Sequence, residues 1–97
     1  MSKRYDTAMM RRAAGNLNDI SDDLKNSVGR VYREIGRTAD DRLSGEYAKA
    51  IIEEMDESNE LCRKCRADID EISRLLRLYA AQLDLADEKV SEIIRQH

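Results

Sequence analysis

Two cysteines in the second half of the chain are the residues whose type and spacing could most readily do chemistry. Cys62 and Cys65 form a C-x-x-C pair, which can supply two zinc thiolates or a redox couple. A structural zinc ion needs two more ligands, and the only histidine, His97, would stand about 50 Å away on the same helix. We therefore predict that both cysteines are small buried apolar residues and that the chain holds no metal or other cofactor. A metal site shared across a dimer axis, or an intersubunit disulfide, is the alternative.

No other group of polar residues has a catalytic arrangement. No serine or cysteine nucleophile has a histidine at a suitable spacing, and no glycine-rich phosphate loop is present. The neighbouring carboxylates of Asp40 and Asp41 fall in a predicted turn, where a solvated pair is the simplest interpretation. The sequence predicts a protein that is not an enzyme and has no catalytic residues.

The composition is typical of long helices. Charged residues make up 38% of the chain, Ala, Glu, Lys, Leu and Arg together provide 45 of the 97 residues, and proline and tryptophan are absent. This composition indicates a coiled coil or long helices and disfavours a β-sandwich or barrel. The 17 basic and 20 acidic residues give a net charge of −3, and no aromatic residues are interleaved with the basic ones. We therefore expect no nucleic-acid binding.

Apolar residues recur at steps of three and four in both halves of the chain. In the first half the pattern runs from Met10 to Ile35 and predicts a helix over residues 7–40, with Asp6 as its N-cap. In the second half a stricter seven-residue repeat predicts a helix over residues 46–96 that packs against a partner helix. The predicted stripe consists of Ala48, Ile51, Met55, Ser58, Cys62, Cys65, Ile69, Ile72, Leu76, Tyr79, Leu83, Ala86, Val90, Ile93 and His97.

Residues 41–45 interrupt both patterns and are predicted to form a turn. Ser44 could cap the second helix, and Gly45 could relax the backbone at the turn. Because short loops join antiparallel neighbours, we expect one all-α domain over residues 1–97, folded as an antiparallel two-helix hairpin. Residue 7 would then lie opposite roughly residue 80. The last fifteen or so residues of the second helix would extend beyond the first helix.

A two-helix hairpin buries only one seam, whereas small domains usually need a second packed layer. Several leucines beside the predicted stripe widen the apolar arc of the second helix. We predict that they form a dimer interface, so that two hairpins make a four-helix bundle by homo- or heterodimerisation. These residues are Leu61, Leu75, Leu78 and Leu85. Three glycines on the back of the first helix either allow a close approach or face solvent: Gly15, Gly29 and Gly36.

The N-terminal residues show no apolar run of signal-peptide length, and no segment approaches the ~18 apolar residues that would span a bilayer. We therefore expect synthesis in the cytoplasm and no membrane span. Export would use a route that reads no cleaved N-terminal signal peptide.

Two short motifs mark the turn and the end of the second helix. The turn contains the triplet Leu43-Ser44-Gly45. Near the C-terminus, a hydrophobic residue is followed four positions later by an acid, and then by two apolar residues three and seven positions after that acid. These four residues are Leu83, Asp87, Val90 and Ile94.

With its length and hairpin pattern, the chain resembles the WXG-motif proteins, the small secreted helical hairpins of type VII secretion. In that family the turn carries Trp-x-Gly, and leucine replaces tryptophan among related substrates and the small helical partners of type VII toxins. The four C-terminal residues match the spacing of the family's export signal, with Leu83 where tyrosine is common.

The resemblance implies a non-enzymatic secreted hairpin that acts as a dimeric substrate or as the export partner of a larger effector. Its partners would be itself or a sister hairpin protein, the secretion ATPase and a larger toxin. One alternative is an intracellular coiled-coil adaptor or regulatory dimer that is not secreted. Another is a metal- or redox-responsive dimer that uses Cys62 and Cys65.

Overall fold

A computed structural model describes residues 6–42 and 45–96, and these residues form two long helices. Helix α1 spans Thr7–Arg42 and helix α2 spans Gly45–Gln96. Thr7 at the start of α1 contacts Asp84 near the end of α2, so the two helices run antiparallel. The all-α helical hairpin predicted from the sequence is thereby confirmed. Neither described range contains a strand.

Contacts between the two helices fall into two compact units. The first unit contains the described residues up to Asp19 and from Ile69 onward, and the second contains Ile20–Asp68. Each helix contributes a segment to each unit. The contacts described below lie within one unit or the other.

The first turn of α1 is capped by Asp6. Its Oδ1 atom accepts a hydrogen bond from the backbone N–H of Met9 at 3.0 Å, and its carbonyl oxygen accepts one from the N–H of Met10 at 3.1 Å. The side-chain bond satisfies one of the N–H groups that have no partner inside the helix. The N-cap predicted at Asp6 is confirmed.

The predicted turn falls where the two helices are joined. Arg42 and Gly45 are both helical, whereas Leu43 and Ser44 lie outside the described residues, together with the predicted Ser44 cap. Gly45 does not adopt a positive φ. As a helical residue with an ordinary φ, Gly45 does not use the conformational freedom that glycine offers.

Small side chains build the seam of the first unit. Ala14 and Ala80 are completely buried, and Thr7 and Ser73 are nearly so. Thr7 and Ala14 are seven residues apart on α1, and Ser73 and Ala80 are seven residues apart on α2. Each helix therefore presents one line of small residues to the other. Such lines let two helices approach more closely than leucine side chains would allow.

In the first unit, only alternate positions of the predicted α2 stripe face α1. Ile72 and Tyr79 belong to that stripe, yet each is 51% exposed. The next residues along the chain, Ser73 and Ala80, are buried in their place. The prediction that the whole stripe packs against α1 is therefore wrong at these positions. The physical reason is the close approach of α1, since a bulky side chain would not fit where Ser73 and Ala80 lie.

The second unit also buries a serine in its seam. Ser21 is almost fully buried, and its carbonyl oxygen accepts a hydrogen bond from Nε of Arg66 at 3.2 Å. Further along, the hydroxyl of Tyr32 lies 2.9 Å from Oδ1 of Asp56 and 3.0 Å from the carbonyl oxygen of Met55. Polar contacts therefore also join the two helices in this unit.

The two cysteines lie in the second unit and are not equally buried. Cys62 is half-buried and Cys65 is exposed, and both are free thiols. The prediction that both are buried apolar residues is therefore wrong for Cys65. Its position, three residues from Cys62, falls on the alternate line of the stripe, which here is solvent-accessible.

Neither α1 nor α2, as far as the structure describes them, contains an apolar stretch long enough to cross a membrane.

Candidate functional site

The exposed hydrogen bonds across the seam of the first unit lie on one side of it, whereas the bond from Ser73 to Ala14 lies within the buried seam. The hydroxyl of Thr7 donates to Oδ1 of Asp84 at 2.7 Å, and Nη2 of Arg11 donates to the other carboxylate oxygen at 2.6 Å. The Asp84 carboxylate therefore accepts hydrogen bonds from both Thr7 and Arg11 of α1. Because Arg11 and Asp84 are partly exposed, their ion pair contributes less than about 1 kcal/mol to stability. The two hydrogen bonds to Asp84 therefore help to set the register between the helices and add little to their stability.

A second polar cluster centres on Ser73. Its hydroxyl oxygen lies 3.0 Å from the carbonyl oxygen of Ala14 and 2.8 Å from Oδ1 of Asn18. The same Asn18 oxygen accepts a hydrogen bond from Nη2 of Arg77 at 2.8 Å, and the amide nitrogen of Asn18 lies 3.4 Å from Oδ1 of Asp70. No buried side-chain polar atom in the described ranges lacks a hydrogen-bond partner. We therefore interpret this hydrogen-bond network as a structural contact between the two helices.

The opposite side of the first unit carries large apolar side chains. In an antiparallel pair, helical periodicity places one flank of each helix on the same side of the seam. On that side α1 contributes the half-buried Met10 and Leu17. Helix α2 contributes Ile72 and Tyr79 on that side, and Leu75, Leu78 and Leu85 continue the apolar surface round to the part of α2 turned away from the seam. We call these five residues the apolar face. Four of these five side chains are exposed, and Leu75 is half-buried.

The four leucines of the predicted dimer interface do not all lie in one unit. Leu75, Leu78 and Leu85 belong to the apolar face of the first unit, whereas Leu61 lies in the second unit and is exposed. Isolated exposed leucines are common on protein surfaces, but several on one helix face indicate a contact surface.

Helix α2 continues for twelve residues beyond Asp84, the partner of Thr7 at the start of α1. The motif predicted as an export signal begins just before this extension and is divided between two environments. Leu83 and Asp87 are half-buried, whereas Val90 is 45% and Ile94 is 64% exposed. Only the second half of the motif therefore offers apolar surface to another molecule.

A shallow surface depression lies along the same extension. It is lined by Leu85, Glu88, Lys89, Glu92 and Arg95. Its lining combines one leucine with charges of both signs, so it lacks the mainly apolar walls of a small-molecule pocket.

The pKa values of three groups are displaced by neighbouring side chains. Partial burial and the hydrogen bond to Asp56 raise the pKa of Tyr32. The hydrogen bond between Glu71 and Arg74 lowers the pKa of Glu71 and raises that of Arg74. Within the described ranges, no three side chains of His, Cys, Asp or Glu are grouped so that they could hold a metal ion. Local pairing explains these displaced pKa values.

The sequence interpretation missed the polar seam, although one signal for it was present. Thr7, Ala14 and Ser21 recur at intervals of seven, as do Ser73 and Ala80. Small residues on a heptad line indicate close helix packing. A search for apolar residues at helical spacing does not detect such a line, because serine and threonine count as polar.

Comparison with known proteins finds no matching family model, no similar curated protein and no similar solved structure.

Proposed function

We propose that this chain is a non-enzymatic helical hairpin that is exported by a type VII, WXG-like secretion system. It acts either as a dimeric substrate or as the export partner of a larger effector. The observation that carries the proposal is the α2 extension beyond Asp84, on which Val90 and Ile94 are exposed. A helix end that extends past its partner and carries apolar side chains is a suitable ligand for the groove of another protein.

The apolar face supports the association part of this proposal. Ile72, Leu78, Tyr79 and Leu85 are exposed on α2, and their burial against another helix would stabilise a complex by the hydrophobic effect. A second hairpin would supply the packed layer that two helices alone lack.

The partial burial of the motif suggests how recognition would work. Leu83 and Asp87 are half-buried, whereas the exposed Val90 and Ile94 are the side chains that the secretion ATPase would contact. Substitution of the two exposed residues therefore tests export with little disturbance of the hairpin. Substitution of Leu83 would mix an export defect with a packing defect.

The test is an export assay in the natural host, with the chain quantified in culture supernatant and in cell lysate. We expect the V90S/I94S variant to be absent from the supernatant and present at the normal level in the lysate. The control is I51S/I52S, which removes two exposed isoleucines from the second unit and should leave export unchanged. Normal export of V90S/I94S would contradict the proposal. Absence of the unmodified chain from the supernatant would favour the intracellular adaptor.

A further inference from the structure

Near each end of the apolar face, an acidic residue is followed along the chain by a basic one. Glu71 and Arg74 lie on either side of Ile72 at the first end, are paired with each other through Oε1 and Nη2 at 2.5 Å and remain more than half exposed. At the other end stand Glu88 and Lys89, which are also exposed. All four belong to the first unit. The face therefore has an apolar centre and one acid and one base at either end.

From this pattern we infer that the apolar face binds the same face of a second copy of this chain, with the two α2 helices antiparallel and related by a two-fold axis at the level of Ala80, on the side of α2 turned away from that buried residue. The inference rests on the proposed role in helical association and names the partner that the proposed function leaves open. In a two-fold interface each residue pair occurs twice, so a self-complementary pattern is required.

The central positions of such an interface meet this requirement, with leucine at three of the four. Leu75 lies five residues before Ala80, and Leu85 lies five residues after it. Leu75 of one copy would therefore pack against Leu85 of the second copy. Leu78 and Gln82 lie two residues on either side and would form the next layer. These four positions alternate steps of three and four, which is the spacing of core layers in an antiparallel helix pair.

The charged residues also form the self-complementary pattern that a two-fold interface requires. Glu71 and Lys89 lie nine residues on either side of Ala80, so the Glu71 carboxylate of one copy would face the Lys89 ammonium of the second. Arg74 and Glu88 flank the core layers and would face each other along one edge. Four intermolecular pairs of opposite charge would thus close the two ends of the interface.

Other arrangements of the same two helices lose these pairs. A parallel arrangement in register would place Glu71 against Glu71 and Lys89 against Lys89. A shift of the antiparallel pair by one heptad would place Arg74 opposite Arg95, whereas the opposite shift would place Glu71 opposite Gln82. Like charges at an interface disfavour the wrong register, so the charge order selects the antiparallel pair centred at the level of Ala80.

The experiment measures self-association of the purified full chain by sedimentation equilibrium over a range of protein and salt concentrations. We expect a dimer whose dissociation constant rises roughly tenfold or more in E71K and in K89E, because each substitution turns two attractive pairs into repulsive ones. The double variant E71K/K89E restores opposite charges across the interface and should recover most of the affinity. Helical content measured by circular dichroism should be the same in all variants.

A matched control uses an acid and a base on the second unit. Lys49 and Glu53 are exposed and lie four residues apart, so K49E, E53K and the double variant repeat the same charge changes away from the apolar face. Dimerisation should not respond to them. A monomer at all concentrations would overturn the inference, and so would a dimer in which E71K/K89E is no tighter than the single variants. Neither result would alter the export assay with V90S/I94S, so failure of this inference is distinguishable from failure of the proposed function.

Discussion

The hydroxyl oxygen of Ser73 lies 3.0 Å from the carbonyl oxygen of Ala14, and both residues are buried at the centre of the first unit. A serine side chain that reaches the backbone of the opposite helix requires the two helices to be close together. The same hydroxyl lies 2.8 Å from Oδ1 of Asn18, which ties α1 to α2 at a second atom. This contact therefore helps to set the spacing and the register of the two helices in the first unit.

Replacement of Ser73 should reveal how tightly this seam is packed. We expect Ser73→Ala to lower the free energy of unfolding by about 1 kcal/mol through loss of the hydrogen bond. Ser73→Leu should lower it by about 1–3 kcal/mol, because the larger side chain has no space beside Ala14. Urea unfolding at low protein concentration measures both values. The control is Ser58→Leu at an exposed serine of α2, which should change stability by less than about 0.5 kcal/mol.

Helical periodicity predicted the two helices and their antiparallel pairing, but not which line of α2 faces α1. The stripe of α2 has two apolar lines, and either line could lie in the seam on hydrophobicity alone. The choice depends on the distance between the helices, which the small residues of α1, such as Ala14, determine jointly with Ser73 and Ala80. That choice leaves Ile72 and Tyr79 exposed.

Because the sequence does not show which line of α2 faces α1, it predicted only part of the candidate site. Leu75, Leu78 and Leu85 were identifiable from the sequence because they lie beside the apolar stripe. The half-burial of Leu83 and Asp87 was not, because it depends on where the seam runs along α2. A motif defined by spacing does not report which of its side chains the rest of the fold covers.

The two cysteines should differ in their reaction with iodoacetamide. Cys65 is exposed, whereas Cys62 is half-buried, so access to the thiol favours labelling of Cys65 first. Limited labelling followed by peptide mass spectrometry gives the order. The variants C62S and C65S serve as single-thiol references, and in 6 M urea the two rates should converge. Equal rates in the folded protein would contradict the burial of Cys62.

Tyr32 should ionise at a lower pH when its acidic neighbour is neutralised. Partial burial and the hydrogen bond to Asp56 raise the pKa of Tyr32 above the ordinary value of 10.0. We expect Asp56→Asn to bring the pKa of Tyr32 back toward that value, because the amide carries no charge to oppose the phenolate. Tyrosine absorbance at 295 nm, recorded against pH for both proteins with Tyr32→Phe as the reference, measures the change.

The raised pKa of Tyr32 also determines the sign of a pH effect on stability. The folded chain keeps the phenolic proton to a higher pH than the unfolded chain does. The stabilising contribution of Tyr32 is therefore fully present below pH 10.0 and is lost as the pH rises through the pKa of the folded state. Alkaline unfolding of Asp56→Asn should depend less steeply on pH in that range. An unchanged slope would contradict this assignment.

Substitution of glycines inside α1 tests whether the back of this helix is open. A Cβ atom added at Gly15 or at Gly36 would meet nothing within 4 Å. Alanine loses less backbone entropy than glycine on helix formation, so each of Gly15→Ala and Gly36→Ala should raise the free energy of unfolding by about 0.5–1 kcal/mol. Because the two sites are far apart in α1, the double variant should show the sum of the two effects. Urea unfolding at low protein concentration measures the gain. If either substitution weakens the dimer while it stabilises the isolated hairpin, a second chain approaches that glycine closely, and the interface extends beyond the apolar face of α2.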